Sequence, residues 1–408
     1  MLKNQVADIS FERHLFELLA EKYPKLRSFE LLETLGQLPY EEELQYKRAA
    51  MKAFCATNRV QPAPTTIMPS IKPRNYRTTT KRKVINERGT FRLLFSEDGK
   101  ASPYGNTNPS VLEPWEHTEL YRGLAVELNH PRYKALGKAL NFIIIRGDYE
   151  KRVLVFNISE MSGPIVKQLK VITETAVTKL DKGIVSCHSF HDPERSRFYF
   201  DSSNEDVKLR LKTLFGPSKI DLTFNDVKFK VVPSVFSQIN GSMVTNMISR
   251  VKYLLSPDPG CHLVDLYCGY GLFSHALAPL FAHVIGIESN QESARAAIEN
   301  GKLNRTAEKI RIYVARISKG TVNNCLARVT CHPEYFLCDP PRQGMDHIAI
   351  AEVCARQPEK IVLACCGTDA IPDQVNSFKR GGYYLQHAEC LDMFPGTPHL
   401  ETLLVFTQ

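Results

Sequence analysis

The sequence predicts an α/β chain in three parts: a helical N-terminal segment over residues 1–64, a strand-rich α+β domain over 65–231, and a Rossmann-like domain over 232–408. Three observations predict this. Leucines recur at helical intervals in the first 60 or so residues. The middle third carries short apolar runs bounded by turn residues. The last third alternates apolar strand, Gly-containing turn, helix and a second strand that ends in an acid, the pattern of a doubly wound nucleotide-binding sheet. A length of 408 residues suits roughly two to four domains, and 43% hydrophobic with 24% charged residues excludes a mainly disordered chain.

In the first part, FERHLFELLAEKYPKLRSFELLETL places Leu15, Leu18 and Leu19, then Leu31, Leu32 and Leu35, at helical spacings. Acids gather at Glu41, Glu42 and Glu43, and Gln61-Pro62-Ala63-Pro64 reads as a linker because Pro restricts itself and the residue before it. The next stretch is basic. From Lys72 to Arg92 stand Lys72, Arg74, Arg77, Lys81, Arg82, Lys83, Arg88 and Arg92 against the single acid Glu87, with Tyr76 and Phe91 interleaved. Such a strip suits phosphates, with the aromatics available for bases; a solvated edge strand guarded by Lys has the same composition. Further on, Phe142–Ile145, Val153–Phe156 and Phe198–Phe200 read as strands.

The chemistry-bearing residues lie after Cys261. LVDLYCGYGLF is a strand running into a turn at Gly269 and Gly271, SHALAPLF a helix, HVIGIE a strand ending in Glu288, and SARAAIENGKLN a helix. Glycines let the turn approach a ligand, and an acid about 20 positions on is placed for ribose hydroxyls; Glu288 follows Asp265 by 23 positions. The turn reads D-x-x-x-G-x-G, and no Arg follows Glu288 to suit a 2′-phosphate, which favours S-adenosylmethionine over a dinucleotide. EYFLCDPPRQGMD is a strand ending in Asp339-Pro340-Pro341-Arg342, and EKIVLACCGTD one ending in Cys365-Cys366-Gly367. Ligands bind at the carboxyl edge of open α/β sheets, and a thiol there suits nucleophilic attack if its pKa falls below the free value of about 8.5. A buried, inert Cys is the plainer reading of Cys366, and its place at a strand end beside Gly367 argues against it. LDMFPGTPHLETLLVF carries His399 and Glu401 ahead of a closing strand.

The segments VPSVFSQIN, LVDLYCGYGLF, VIGIE, CDPPRQGMD, IVLACCG and DMFPGTPHLE resemble, in order and spacing, the RNA uridine-5-methyltransferase family, which makes 5-methyluridine in tRNA and ribosomal RNA. YRTTTKRKV resembles that family's central RNA-binding domain. The resemblance implies a C-terminal class I methyltransferase domain, S-adenosylmethionine as cofactor, and an RNA substrate, tRNA or rRNA. It implies cofactor contacts at Gln238, Tyr267, Glu288 and Asp339, a nucleophile at Cys366 and a general base at Glu401. Cys365 stands where the family usually has a small residue. His399 is assigned no catalytic role. RNA contacts are expected from Arg74, Arg77, Lys81, Arg82, Lys83 and Arg342.

The pairing of thiol and carboxylate fits the chemistry. Carbon 5 of uracil is a poor nucleophile until a thiolate adds to carbon 6, and a base must then remove the carbon 5 proton. Three features depart from the family. Gly367-Thr368 follows the nucleophile where Asn-Pro is common, and Leu272 follows the second turn Gly where Asn is common. The four-Cys iron–sulfur motif is missing, since Cys55 alone precedes Cys187, so no cluster and no metal are expected. Two rivals share parts of this pattern: an RNA cytosine-5-methyltransferase, and a catalytically idle RNA-binding module.

Bulk properties fit a cytoplasmic, monomeric enzyme. No apolar run reaches the roughly 18–20 residues of a membrane helix, and the start has no signal-peptide core. The 11 Cys are odd in number and scattered, as expected in a reducing compartment, and the net charge of +8 permits a polyanionic partner.

Overall fold

The structure, a computed structural model, describes residues 10–23, 35–97, 100–101, 110–196, 210–327, 329 and 333–408. Its contacts divide the chain into two units: Met1–Arg74 with Phe224–Val227 and Ser242–Gln408, and Asn75–Thr223 with Lys228–Gly241.

The N-terminal elements belong to the first unit. Helix α1 (Phe11–Lys22) starts at Ser10, whose hydroxyl accepts the Arg13 N–H at 3.2 Å, and buries Phe11, Leu15 and Leu19. Helix α2 (Tyr40–Thr57) begins with Glu41, Glu42 and Glu43, favoured by the positive end of the helix dipole. It buries Leu44, Met51, Phe54 and Cys55. Strand β1 (Ile67–Met68) then pairs parallel with Cys390–Leu391. These residues share one core with Val264, Phe336, Leu363 and Leu404. The N-terminal segment is therefore not a part of its own, and Gln61–Pro64 is no domain boundary: the chain leaves the first unit only after Arg74. Leu31 and Leu32 lie outside the described residues.

The second unit is built on a six-stranded sheet. Its strands are β2 (Thr80–Glu87), β3 (Thr90–Leu94), β4 (Leu140–Gly147), β5 (Arg152–Ile158), β6 (Ile184–His191) and β7 (Leu211–Phe215), in the order β3-β2-β4-β5-β6-β7. Only β5 and β6 run parallel; the other neighbours are antiparallel. Helices α3 (Trp115–Leu128), α4 (Lys134–Ala139) and α5 (Gly163–Thr175) contribute Leu124, Leu136 and Leu169 to its core. The expected runs Phe142–Ile145 and Val153–Phe156 are β4 and β5. The expected Phe198–Phe200 strand lies outside the described residues. A separate hairpin, β8 (Ile220–Phe224) and β9 (Val227–Val231), follows.

The rest of the first unit alternates as the sequence predicts. In order come α6 (Gly241–Leu255), β10 (His262–Leu266), α7 (Leu272–Leu277), β11 (His283–Glu288), α8 (Gln291–Leu303), β12 (Ile310–Val314) and α9 (Thr321–Leu326). Then follow β13 (Glu334–Cys338), α10 (His347–Ala355), β14 (Lys360–Cys365), α11 (Ile371–Arg380), β15 (Tyr384–Leu391) and β16 (Glu401–Thr407). The eight-stranded sheet runs β1-β15-β16-β14-β13-β10-β11-β12, with β16 antiparallel to both neighbours. β10 and β13 are wholly buried, as expected of parallel strands covered on both faces. The strand order reverses between β10 and β13, the switch point where such sheets open a crevice at their carboxyl ends. Among the described residues no helix is long and apolar enough to cross a membrane.

Candidate active site

The loops flanking this switch point carry most of the expected residues. After β10 the backbone turns left-handed at Tyr267 (φ 64°), Gly269 (φ 56°) and Gly271 (φ 86°). Tyr267 has a Cβ and holds this conformation at a cost of order 1–3 kcal/mol, a strain that concentrates at functional sites. The turn is pinned from β11: the N–H groups of Tyr267 and Cys268 donate to the Ile287 carbonyl at 2.9 and 3.2 Å. Glu288 completes the clamp, accepting the Gly269 N–H at 3.0 Å and the Asn290 N–H at 2.6 Å.

Beneath the turn lies Asp265, which the sequence reading used only as the start of a motif. It is fully buried. Its Oδ2 accepts the Ser274 hydroxyl at 2.5 Å, while Oδ1 has no hydrogen-bond partner. Burial, with the Asp339 and Glu288 charges adding, pushes its carboxyl up to about 7. Asp339, at the end of β13, is pushed up to about 7 by burial as well.

The second cluster sits at the ends of β14 and β16. Cys365 is the last residue of β14, opposite Thr402, and 2% exposed. Cys366 lies one step beyond the strand and is half-buried. Burial pushes its thiol up to about 12, the Glu401 and Asp339 charges push the same way, and Arg342 opposes them, so the ligand-free site raises the thiol rather than lowering it as expected for an attacking thiolate. Glu401 opens β16, is 1% exposed, and has one carboxylate oxygen without a hydrogen-bond partner. Burial, then the Asp339 charge, raises it well above the ordinary carboxylate range, with Arg342 again opposing. The Cys366 thiol, the Glu401 carboxyl, Asp339 and Arg342 thus form one electrostatic group.

Gly367 makes this proximity feasible. A Cβ there would lie 2.0 Å from the Arg342 carbonyl oxygen, so only glycine lets the two loops meet. This gives the departure at Gly367 a physical reason. Gln374 of α11 latches the same loop, accepting the Met345 N–H at 2.8 Å and donating to the Met345 carbonyl at 3.1 Å. Leu272, the other departure, is 5% exposed at the start of α7 and serves as core. Gln238 belongs by its contacts to the other unit, where its carbonyl lies 3.5 Å from the Thr78 hydroxyl. Among the described residues no group of three or more His, Cys, Asp and Glu side chains is arranged to hold a metal ion.

The structure corrects part of the basic strip. Arg82 is buried, pairs with both Glu113 oxygens at 2.8 and 2.6 Å, and packs against the Phe95 and Tyr121 rings. Arg74 donates to the carbonyls of Gly36, Leu35 and Leu38 and pairs with Glu43. Both guanidinium groups are spent internally. Tyr76 and Phe91, expected to be available to bases, are core residues at 0% and 5% exposure. Arg77, Lys81 and Lys83 are half-buried and Arg342 is exposed. The second unit also holds a cleft of about 530 Å³ lined by Lys134, Lys138 and Arg195 together with Ser159 and Gln168. No local motif marks it, because its cations come from separate segments.

The sequence profile of the tRNA (uracil-5-)-methyltransferase family matches residues 202–408, half of the chain. The chain belongs to the tRNA (uracil-5-)-methyltransferase family. The matched stretch holds Gln238, Tyr267, Glu288, Asp339, Cys366 and Glu401, and leaves α1, α2 and the basic strip outside. Among curated relatives, an uncharacterized RNA methyltransferase of Clostridium tetani is 29% identical over 195 residues, 48% of this chain and 41% of that protein. The 23S rRNA (uracil(1939)-C(5))-methyltransferase of Acidithiobacillus ferrooxidans is 31% identical over 191 residues, 47% of this chain and 42% of that protein. The chain thus matches less than half the length of either relative. In fold it is similar to the Pyrococcus abyssi tRNA (uracil-54, C5)-methyltransferase solved with S-adenosyl-L-homocysteine. The TM-score is 0.67 at 20% identity, over 92% of this chain and 85% of that one.

Proposed function

We propose that this chain methylates carbon 5 of a uridine in tRNA or rRNA, using S-adenosylmethionine, through a covalent adduct on Cys366 with Glu401 as general base. The observation that carries the reading is the meeting of a strand-end thiol, a buried carboxylate and Arg342 beside the switch-point turn, in a member of this family.

The residues present fit the cofactor. A left-handed Gly turn leaves room for close approach, and the unpartnered oxygen of buried Asp265, with Asp339 nearby, suits a cationic ligand. Tyr267, Glu288 and Asp339 would hold it. When bound, S-adenosylmethionine supplies an electrophilic methyl group on a sulfonium.

In this reading Cys366 loses its proton and its sulfur bonds to carbon 6 of uracil, turning the ring into an enolate. Carbon 5 would take the methyl group as its bond to the sulfonium sulfur breaks, the electron pair staying on sulfur and neutral S-adenosylhomocysteine leaving. Glu401 then takes the carbon 5 proton, the carbon–sulfur bond breaks, and thiolate and 5-methyluridine separate. One proton is released per turnover. General-base help of this kind is worth about 10²–10⁴ in rate. The uracil must leave its stack to reach the thiol, costing a few kcal/mol, and phosphate contacts from Arg77, Lys81, Lys83 and Arg342 would offset this.

The test is to supply RNA transcripts and methyl-labelled cofactor and digest to nucleosides. Label in 5-methyluridine is expected. Label in 5-methylcytidine alone would favour the cytosine rival, and cofactor binding with no product in any RNA would favour the idle module.

A further inference from the structure

The two N-terminal helices hold the segments that carry the reacting groups. The N–H of Phe11, first in α1, donates to Asp369 Oδ1 at 2.8 Å, three residues after Cys366. Helix α2 grips the segment Asp392–Leu400, which joins β15 to β16 and ends at Glu401. Lys47, fully buried, places Nζ 2.8 Å from Asp392 Oδ1, 2.8 Å from Glu43 Oε1 and 3.3 Å from the Phe394 carbonyl oxygen. Glu43 Oε1 also accepts the Gly396 N–H at 2.6 Å, and its Oε2 lies 3.0 Å from Arg74. The Tyr40 hydroxyl donates to Asp392 Oδ2 at 3.0 Å and accepts the Ser70 N–H at 2.6 Å. The start of the segment is pinned as well, by the Asp392 N–H donating to the Met68 carbonyl at 2.9 Å.

An ion cluster at this depth is a poor source of net stability, because desolvation offsets most of the Coulombic gain. Its directed contacts instead fix geometry, tying Asp392, the Phe394 carbonyl and the Gly396 N–H to one helix. Burial alone would lower the Lys47 pKa, but Asp392 and Glu43 overcome this and hold it above its ordinary value, so the cation persists. Glu401 makes few polar contacts of its own, with Oε1 unpartnered, so the segment leading into it must set where its carboxylate points.

We propose that Glu43 and Lys47 are positioning residues for Glu401, holding the Asp392–Leu400 segment so that the base meets the carbon 5 proton. This gives the N-terminal helices a role in the reaction and rests on the function proposed above. Sub-ångström placement is what such a base requires, and a displacement of about 1 Å costs on the order of 10²-fold in rate.

The experiment uses the full chain with Glu43→Gln, which keeps size and an acceptor but removes the charge, and Tyr40→Phe, which removes only the hydroxyl. Thermal unfolding establishes that each variant is folded, and Glu401→Gln is the reference for a failed base. With saturating RNA, kcat of Glu43→Gln is expected to fall about 10- to 100-fold. Its KM for S-adenosylmethionine stays near wild type. A methylated covalent protein–RNA adduct builds up, as in Glu401→Gln, because addition by Cys366 continues while proton removal slows. Tyr40→Phe shows a smaller fall with the same adduct, and decides the matter if Glu43→Gln does not fold. Wild-type kcat in the folded variants overturns the proposal, and so does a fall in kcat without adduct. Absence of any adduct in Glu401→Gln itself overturns the covalent mechanism instead.

Discussion

Replacing Asp265 by Asn gives a quantitative test of the buried acid under the Gly turn. The ordinary value of the carboxyl is 3.8, and in the folded chain it is about 7, because burial disfavours the charged form. The folded chain therefore binds this proton more tightly than the unfolded chain. The associated stability is fully present below 3.8 and is lost as pH rises through about 7. One pKa unit corresponds to about 1.4 kcal/mol, so the whole effect is about 4 kcal/mol. Between pH 4.5 and pH 8, about 3 kcal/mol of it falls away. Asn keeps the Ser274 hydrogen bond, carries no charge at either pH, and lacks this loss. Urea unfolding of the ligand-free protein at the two pH values measures it. Wild type should lose about 3 kcal/mol more than Asp265→Asn on going to pH 8. Under the proposed function the variant should also bind S-adenosylmethionine more weakly, since it has no charge to offer a cationic ligand. Parallel pH dependences would refute the argument.

Three further predictions follow from the geometry. Gly367→Ala drives a methyl group into the Arg342 carbonyl, 2.0 Å away. It should abolish RNA methylation while unfolding remains cooperative; wild-type turnover in that variant would show that the loops separate freely. On the basic strip, Arg82 and Lys83 should separate cleanly. Arg82→Met leaves Glu113 buried and unpaired and should cost about 3–5 kcal/mol of stability, measured by urea unfolding. Lys81→Ala with Lys83→Ala should leave the fold intact and reduce the slope of log binding constant against log salt by about 1.4, the value for two contacts to single-stranded RNA. An unchanged slope would remove these lysines from the RNA interface.

The sequence was most legible where a local rule has a single physical cause. The turn after β10, the acid ending β11 and the apolar runs of β13 and β14 were all readable, because parallel strands buried on both faces need unbroken hydrophobic runs and a tight left-handed turn favours glycine. Gly367 read as a departure, and only the approach of the Arg342 carbonyl explains it. The N-terminal segment was misread as a separate part. Its partners, from Val264 to Asp392, lie hundreds of residues on, and periodicity says which face of a helix is apolar but not what covers it. Arg74 and Arg82 failed for the same reason: a charge run names cations, and whether each meets water or a buried carboxylate is settled by tertiary contacts such as Glu43 and Glu113. Asp265 was in plain view as the first residue of the turn motif, but its burial and unpartnered oxygen are properties of the folded chain.

The covalent role of Cys366 is tested most directly with RNA containing 5-fluorouridine, incubated with S-adenosylmethionine and the protein. Fluorine at carbon 5 cannot be removed as a proton is, so the adduct formed by the thiol is trapped. A stable protein–RNA adduct is expected to form in wild type and Cys365→Ala and to be lost in Cys366→Ala. Retention of the adduct in Cys366→Ala, or turnover of ordinary RNA by that variant, would contradict it.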